Sequence, residues 1–234
     1  MILATVSLVI ICIFARKIKR RKVDLYLKII SIVIPILEVV KIVWESYWDI
    51  TLGAGFNYTG LLPLYTCSIF IFVLPLAAWG KRRIKEYALS WMATLGIFSG
   101  LTNFYLTQIL YTYPFFTFAT FMSLLFHYVM VATGLIIVIS RYKKIDWIDG
   151  AKGFVPLALF SVVVIPVDYI LKCDYMLYYS GNGAPLLPQL STYLSSYGLR
   201  WLFTLIIFLG YLLISYISVL IFKITIKNKK KKIY

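Results

Sequence analysis

The sequence predicts an all-α fold: a polytopic membrane helix bundle with seven transmembrane helices, its N-terminus outside and its C-terminus cytoplasmic. Three observations point there. Of the 234 residues, 62% are hydrophobic and only 14% charged, and the mean hydropathy is +0.87; a soluble domain is about half apolar and a quarter charged. The apolar residues fall into seven runs, several near the roughly 20 residues that cross a bilayer core. The basic residues gather between alternate runs. A water-facing globule cannot cover this much apolar surface, which excludes a soluble enzyme, a disordered chain and a disulfide-rich scaffold.

The first run, 1–15, precedes a basic cluster from Arg16 to Lys22. A signal peptide has its charges before the apolar part and a small-residue cleavage site after it, so this run reads as a short first helix. The second run, 25–48, carries Glu38, Lys41 and Glu45. The third, 61–80, has Pro63 in its expected first turn, where proline is tolerated. The fourth, 87–106, holds Gly96 and Gly100, a GxxxG step that permits close helix approach. The fifth, 115–140, contains His127 and ends at another basic cluster. The sixth, 153–171, contains Pro156 and Pro166, which can free carbonyls for a polar site. The outer loop, 172–197, is rich in Gly and Pro; it reads either as a lid-like binding loop or as a solvated connector with interfacial tyrosines. The seventh run, 198–222, leads into a basic tail, 223–234. With no internal repeat in view, 1–234 reads as a single transmembrane domain, and a transporter built from inverted halves has no support.

Direction follows from charge. Lys and Arg total 24 against 9 Asp and Glu, a formal net charge of +15, and 20 of the 24 lie on one side of the alternating runs. That asymmetry is the positive-inside pattern. Trp44 and Trp48 at one interface, and Trp79 and Trp147 at the other, suit aromatic belts. The basic excess reads as topology and not as a nucleic-acid surface. Three separated cysteines and one histidine provide neither a disulfide framework nor a zinc site, so no metal and no cofactor is expected.

Ionisable groups in membrane helices are costly and mark candidate sites. Glu38, Lys41 and Glu45 are spaced three and four apart and share a helix face, as a structural ion pair or as the polar wall of a cavity. Asp168 is the acidic candidate on another helix. Cys67 lies six residues after Leu61, on the order of 10 Å below the outer end. It reads as a small packing residue or, beside an imidazole base, as a nucleophile that can carry an acyl group. His127 lies at a comparable depth in the fifth run. Asn103 can hydrogen-bond across helices or into a cavity.

At Leu61-Leu62-Pro63-Leu64-Tyr65-Thr66-Cys67 the chain resembles the YwaF-like bacterial integral membrane family. Supporting segments are Gly100-Leu101-Thr102-Asn103-Phe104, Phe126-His127 and Val164-Ile165-Pro166-Val167-Asp168-Tyr169. That family in turn resembles the eukaryotic seven-helix transmembrane acyltransferases of ether lysophospholipids and, more distantly, the androgen-induced hydrolases of fatty acid esters. The resemblance implies a catalytic cysteine at an LP-containing helix start and a histidine about 60 residues later, here Cys67 and His127.

Two functions follow as expectations. The first is an intramembrane Cys/His acyltransferase acting on phospholipid or lysophospholipid acyl chains in the cell membrane. Cys67 and His127 are then catalytic, and Tyr65, Asn103 and Asp168 orient His127 or stabilise the oxyanion. The alternative is a small-molecule transporter or substrate-binding membrane subunit without catalytic activity, built on Glu38, Lys41, Glu45 and Asp168. Membrane lipids are the expected partners in the first case.

Overall fold

The computed structural model describes residues 2–53, 58–105, 117–182 and 184–231. The expected helix ends at 106 and 115, and the last residues of the tail, lie outside them. All regular structure among the described residues is helical. Helix α1 (Ile2–Phe14) ends in a tight turn, Ala15–Lys17, and leads to α2 (Arg20–Thr51). A single turn, α3 (Tyr58–Leu61), precedes the 3-10 turn Thr66–Ser68 and α4 (Ile69–Trp79). Helix α5 (Arg82–Trp91) passes through a π turn, Met92–Gly96, into α6 (Ile97–Tyr105). Then come α7 (Phe118–Ile139), α8 (Ile148–Leu171), α9 (Leu187–Ser196) and α10 (Arg200–Lys231).

Three helical stretches, Phe118–Ile139, Ile148–Leu171 and Arg200–Thr225, are long and apolar enough to cross a membrane, and Thr66–Trp79 is a shorter apolar helix. Several boundaries differ from the sequence reading for local reasons. The third helix starts at Thr66, not at 61. Pro63 offers no N–H to continue a helix, and the Leu64 N–H closes back on the Leu62 carbonyl at 2.8 Å. Residues 187–196, expected to belong to an irregular loop, form α9. Its Pro188 sits in the first turn, where no intrahelical N–H is needed. Helix α2 runs past both ends of 25–48, because its terminal charged and aromatic residues lie along the surface without breaking it.

The π turn lies at the centre of the bundle. Met92, Ala93, Thr94, Leu95 and Gly96 are all buried, and they pack against α7, α8 and α10. Close approach is set by small residues. A Cβ on Gly134 of α7 would stand 2.5 Å from the Met92 carbonyl oxygen, and one on Gly100 of α6 would stand 2.6 Å from the Val131 side chain.

Aromatic and charged residues finish the two ends. Trp44 meets Trp48 at 6.1 Å and Phe118 at 5.5 Å between ring centroids. Lys28 stands 4.8 Å over Trp79, and Lys223 stands 4.8 Å over Trp147. At the basic end, buried Asp149 accepts from Lys143 Nζ at 2.8 Å, Ser90 Oγ at 2.9 Å and the Asp146 N–H at 2.7 Å. Asp24 accepts from Lys85 and from the Tyr142 hydroxyl. In the connection between α7 and α8, the Lys223 ammonium hydrogen-bonded to Asp146 holds that carboxyl below its usual range.

Two substitutions test this packing by thermal unfolding in detergent. Gly134→Ala forces α7 off the π turn and is expected to cost about 1–3 kcal/mol, the range for overpacking. Asp149→Ala leaves Lys143 and Ser90 without their shared acceptor and should cost about 3–5 kcal/mol, as for breaking a buried pair. An unchanged melting temperature in either variant contradicts the contact it targets.

Candidate functional site

His127 is the most constrained of the candidate residues. It sits on α7 and is 5% exposed. Its Nδ1 lies 2.7 Å from the Ser123 carbonyl, one turn earlier on the same helix. A carbonyl oxygen only accepts, so Nδ1 carries the proton and Nε2 presents its lone pair. Nε2 is buried and makes no hydrogen bond. Behind the ring, a Cβ on Gly100 would stand 3.2 Å from the His127 carbonyl oxygen, so the glycine lets α6 pack directly on this turn.

Cys67 lies in the 3-10 turn that begins the apolar helix, half-buried and free of any disulfide. One turn further on, Phe70 meets Phe126 edge-on at 5.7 Å, and Phe126 meets His127 at 5.5 Å. This aromatic chain joins the cysteine-bearing segment to the histidine-bearing helix. Cys67 and His127 do not hydrogen-bond to each other, since one imidazole nitrogen is held by Ser123 and the other has no partner.

Lys41 is itself anchored. Its Nζ donates to Glu38 at 2.8 Å, with both side chains largely buried, and Glu45 adds its charge from one turn beyond. Glu38, Lys41 and Glu45 therefore form one polar strip on α2.

The remaining candidates are engaged elsewhere. Asn103 Nδ2 donates to the Ser99 carbonyl at 2.9 Å, back along its own helix. Tyr65 is partly exposed and stacks edge-on against Tyr175 at 5.3 Å. Asp168 is fully buried; its Oδ1 accepts the Tyr175 N–H at 3.0 Å and its Oδ2 has no partner. None of the three bonds His127, whose orientation comes from Ser123.

The segment after α8 is not a solvated connector. Tyr175, Met176 and Tyr178 are buried within the bundle. The Tyr175 hydroxyl donates to the Thr59 carbonyl at 2.6 Å, and Tyr211 of α10 bridges the Thr66 hydroxyl at 3.0 Å and the Met176 carbonyl at 3.4 Å. Burial pushes the Tyr175 phenol well above its usual range, so it stays a donor. This cap rests on the Cys67 turn. Ser123 and Tyr211 were not visible as site residues in the sequence. Ser123 was findable from the four-residue spacing to His127, whereas Tyr211 carried no local signal.

Chemically, the candidate residues offer a thiol on the Thr66–Ser68 turn, an imidazole with a bare nitrogen on α7 and an ammonium on α2. Among the described residues, no three of His, Cys, Asp and Glu come together in a way that could hold a metal ion.

No curated protein and no solved structure matches the chain. The family model of the TMEM164 family, a family of membrane proteins, matches residues 1–216 of the 234. With that match over most of its length, and with three apolar helices able to cross a bilayer, the chain is a membrane protein that belongs to the TMEM164 family.

Proposed function

We propose that the chain is a seven-span acyltransferase of the cell membrane, with its N-terminus outside, that moves acyl chains between phospholipid and lysophospholipid through Cys67. The observation that carries this reading is the bare, buried Nε2 of His127, whose tautomer is set by the Nδ1–H bond to Ser123. A neutral imidazole in that form is a proton acceptor. The seven-span topology is supported by the sidedness of the basic clusters and by α2, which exposes Leu25, Ile29, Ile32, Ile36, Val39 and Val43 along one stripe. That stripe suits lipid contact.

The proposed chemistry is a two-step exchange. The Cys67 thiol gives its proton to His127 Nε2, and the thiolate attacks the ester carbonyl of a donor phospholipid. The carbon–oxygen bond to the glycerol breaks, and the leaving alkoxide takes the proton from His127 and departs as a lysophospholipid. The hydroxyl of an acceptor lysophospholipid then gives its proton to His127 and attacks the thioester. The Cys67 sulfur leaves and is reprotonated. The cycle requires the Thr66–Ser68 turn to bring the thiol within hydrogen-bond reach of the ring. The Lys41 charge favours the anions formed in both steps.

The transporter alternative has less behind it. The Glu38 carboxylate is taken up by Lys41, and Asp168 holds the Tyr175 backbone. In reconstituted vesicles containing labelled phospholipid, Cys67→Ala and His127→Ala should each lower acyl exchange by about 100-fold or more, the scale of acid–base and nucleophilic contributions. Both should keep the wild-type elution profile and melting temperature. Full exchange by Cys67→Ala would overturn the mechanism.

A further inference from the structure

Charge is matched unevenly at the basic end of the bundle. Its four carboxylates are each taken: Asp24 accepts from Lys85 at 3.2 Å, Glu86 from Lys152 at 2.8 Å, Asp146 from Lys223 at 2.7 Å and Asp149 from Lys143 at 2.8 Å. The turn from α1 into α2 is not served in this way. Arg16, Lys17, Lys19, Arg21 and Lys22 are all exposed, and none of them forms an ion pair among the described residues.

The level of these cations is fixed by their neighbours. Ala15 and Val23, on either side of them, are buried, and the Ala15–Lys17 turn packs against α7. Asp24 accepts the hydroxyl of Tyr142, and Arg20 stands 4.9 Å over the Tyr142 ring. Tyr142 follows α7 directly, and α7 is long and apolar enough to cross a bilayer. In a bilayer spanned by α7, the basic turn therefore lies at headgroup depth. Trp79 marks the same zone just inside it, with its indole N–H on Ser31 Oγ at 3.2 Å and Lys28 4.8 Å over its ring.

The surface beside the cations is apolar. Ile13 and Phe14 at the end of α1 are exposed, as are Leu25, Ile29 and Ile32 of α2. Arg21 and Lys28 are seven residues apart and share a face of α2, with Leu25 between them and Ile32 beyond.

We propose that the basic turn, with Lys28 and Trp79, binds the phosphate headgroup of an anionic phospholipid whose tails lie along Leu25, Ile29 and Ile32. The proposal does not depend on the acyl-transfer reading. Each unmatched cation at a membrane surface favours an anionic lipid by on the order of fivefold. A soluble phosphate or an acidic peptide answers the charge and leaves the aliphatic stripe bare. A zwitterionic lipid covers the stripe and leaves the charge unmatched. An anionic lipid does both.

The test is native mass spectrometry of the full chain in detergent micelles doped with equal amounts of phosphatidylglycerol and phosphatidylcholine of identical chains. Wild type is expected to retain phosphatidylglycerol in preference by about tenfold or more, and added salt should weaken that preference, as for exposed charges. Arg21→Gln with Lys28→Gln should lower it at least about fivefold, while Arg21→Lys with Lys28→Arg should keep it. Lys144→Gln with Lys172→Gln removes two exposed cations outside the turn and should leave it unchanged. If the first Gln pair fails to fold, Arg16→Gln with Lys19→Gln, on the turn before α2, carries the same expectation. Soluble glycerophosphate in excess should not displace the lipid. Equal retention of the two lipids by wild type, full preference in a folded Gln pair on the turn, or displacement by glycerophosphate overturns the proposal.

Discussion

The hydrogen bond from His127 Nδ1 to the Ser123 carbonyl is the interaction on which the site depends. In water it would be a minor local contact, but inside an apolar bundle it decides the state of the ring. It commits one nitrogen as donor, leaves the other as acceptor, and keeps the imidazole aligned with its own helix without help from another. No partner helix has to move for the tautomer to persist. Gly100 completes the arrangement from behind, because any side chain there would push α6 away from the turn that presents the ring.

The same economy of local bonding recurs through the bundle. Thr94 bonds the Ser90 carbonyl, Thr133 the Val129 carbonyl and Ser161 the Leu157 carbonyl, each four residues back. Polar side chains in a hydrocarbon environment must find acceptors, and the preceding turn is always available. Charges cannot be settled that way. Those on α2 and at the basic end are paired across short distances, as Glu38 with Lys41 and Asp149 with Lys143. Against this background, two buried side-chain atoms near the site, His127 Nε2 and Asp168 Oδ2, stand without partners.

Much of the helical layout was legible because apolar runs and charge clusters are one-dimensional signals. The Glu38–Lys41 pair followed from a three-residue spacing. What was not legible depends on contacts distant in the chain. Asn103 looked free to reach across helices, yet the Ser99 carbonyl, four residues back, holds it; the helix rule that governs threonines here would have said so. The segment after Leu171 reads from its glycines and prolines as an irregular loop, either lid-like or a solvated connector. Its burial is set by Thr59 and Tyr211, each far from it in sequence and without a motif of its own. The apolar run predicts a helix from Leu61 with Pro63 in its first turn, whereas residues 62–65 are irregular and the helix begins only at Thr66.

The cap after α8 and the seam where α2 packs on α7 differ in what opening them involves. Lifting the cap breaks a set of backbone and hydroxyl hydrogen bonds, each worth about 0.5–1.5 kcal/mol net, and strips Tyr178 and Met176 from a buried setting into water or headgroups. Leu177, held at φ 62°, shows how tightly the chain is folded to make those bonds. The seam between α2 and α7 is held by fewer polar bonds, among them the one between the Tyr26 hydroxyl and Thr133 Oγ1 at 2.9 Å. Its facing side chains are chiefly aliphatic and aromatic, and lipid tails are as apolar as they are, so no hydrophobic force holds α2 to α7 there. Replacing a Leu37 or Leu125 contact by a contact with an acyl chain changes little in free energy, while replacing the Asp168–Tyr175 bond by water would expose a fully buried carboxylate.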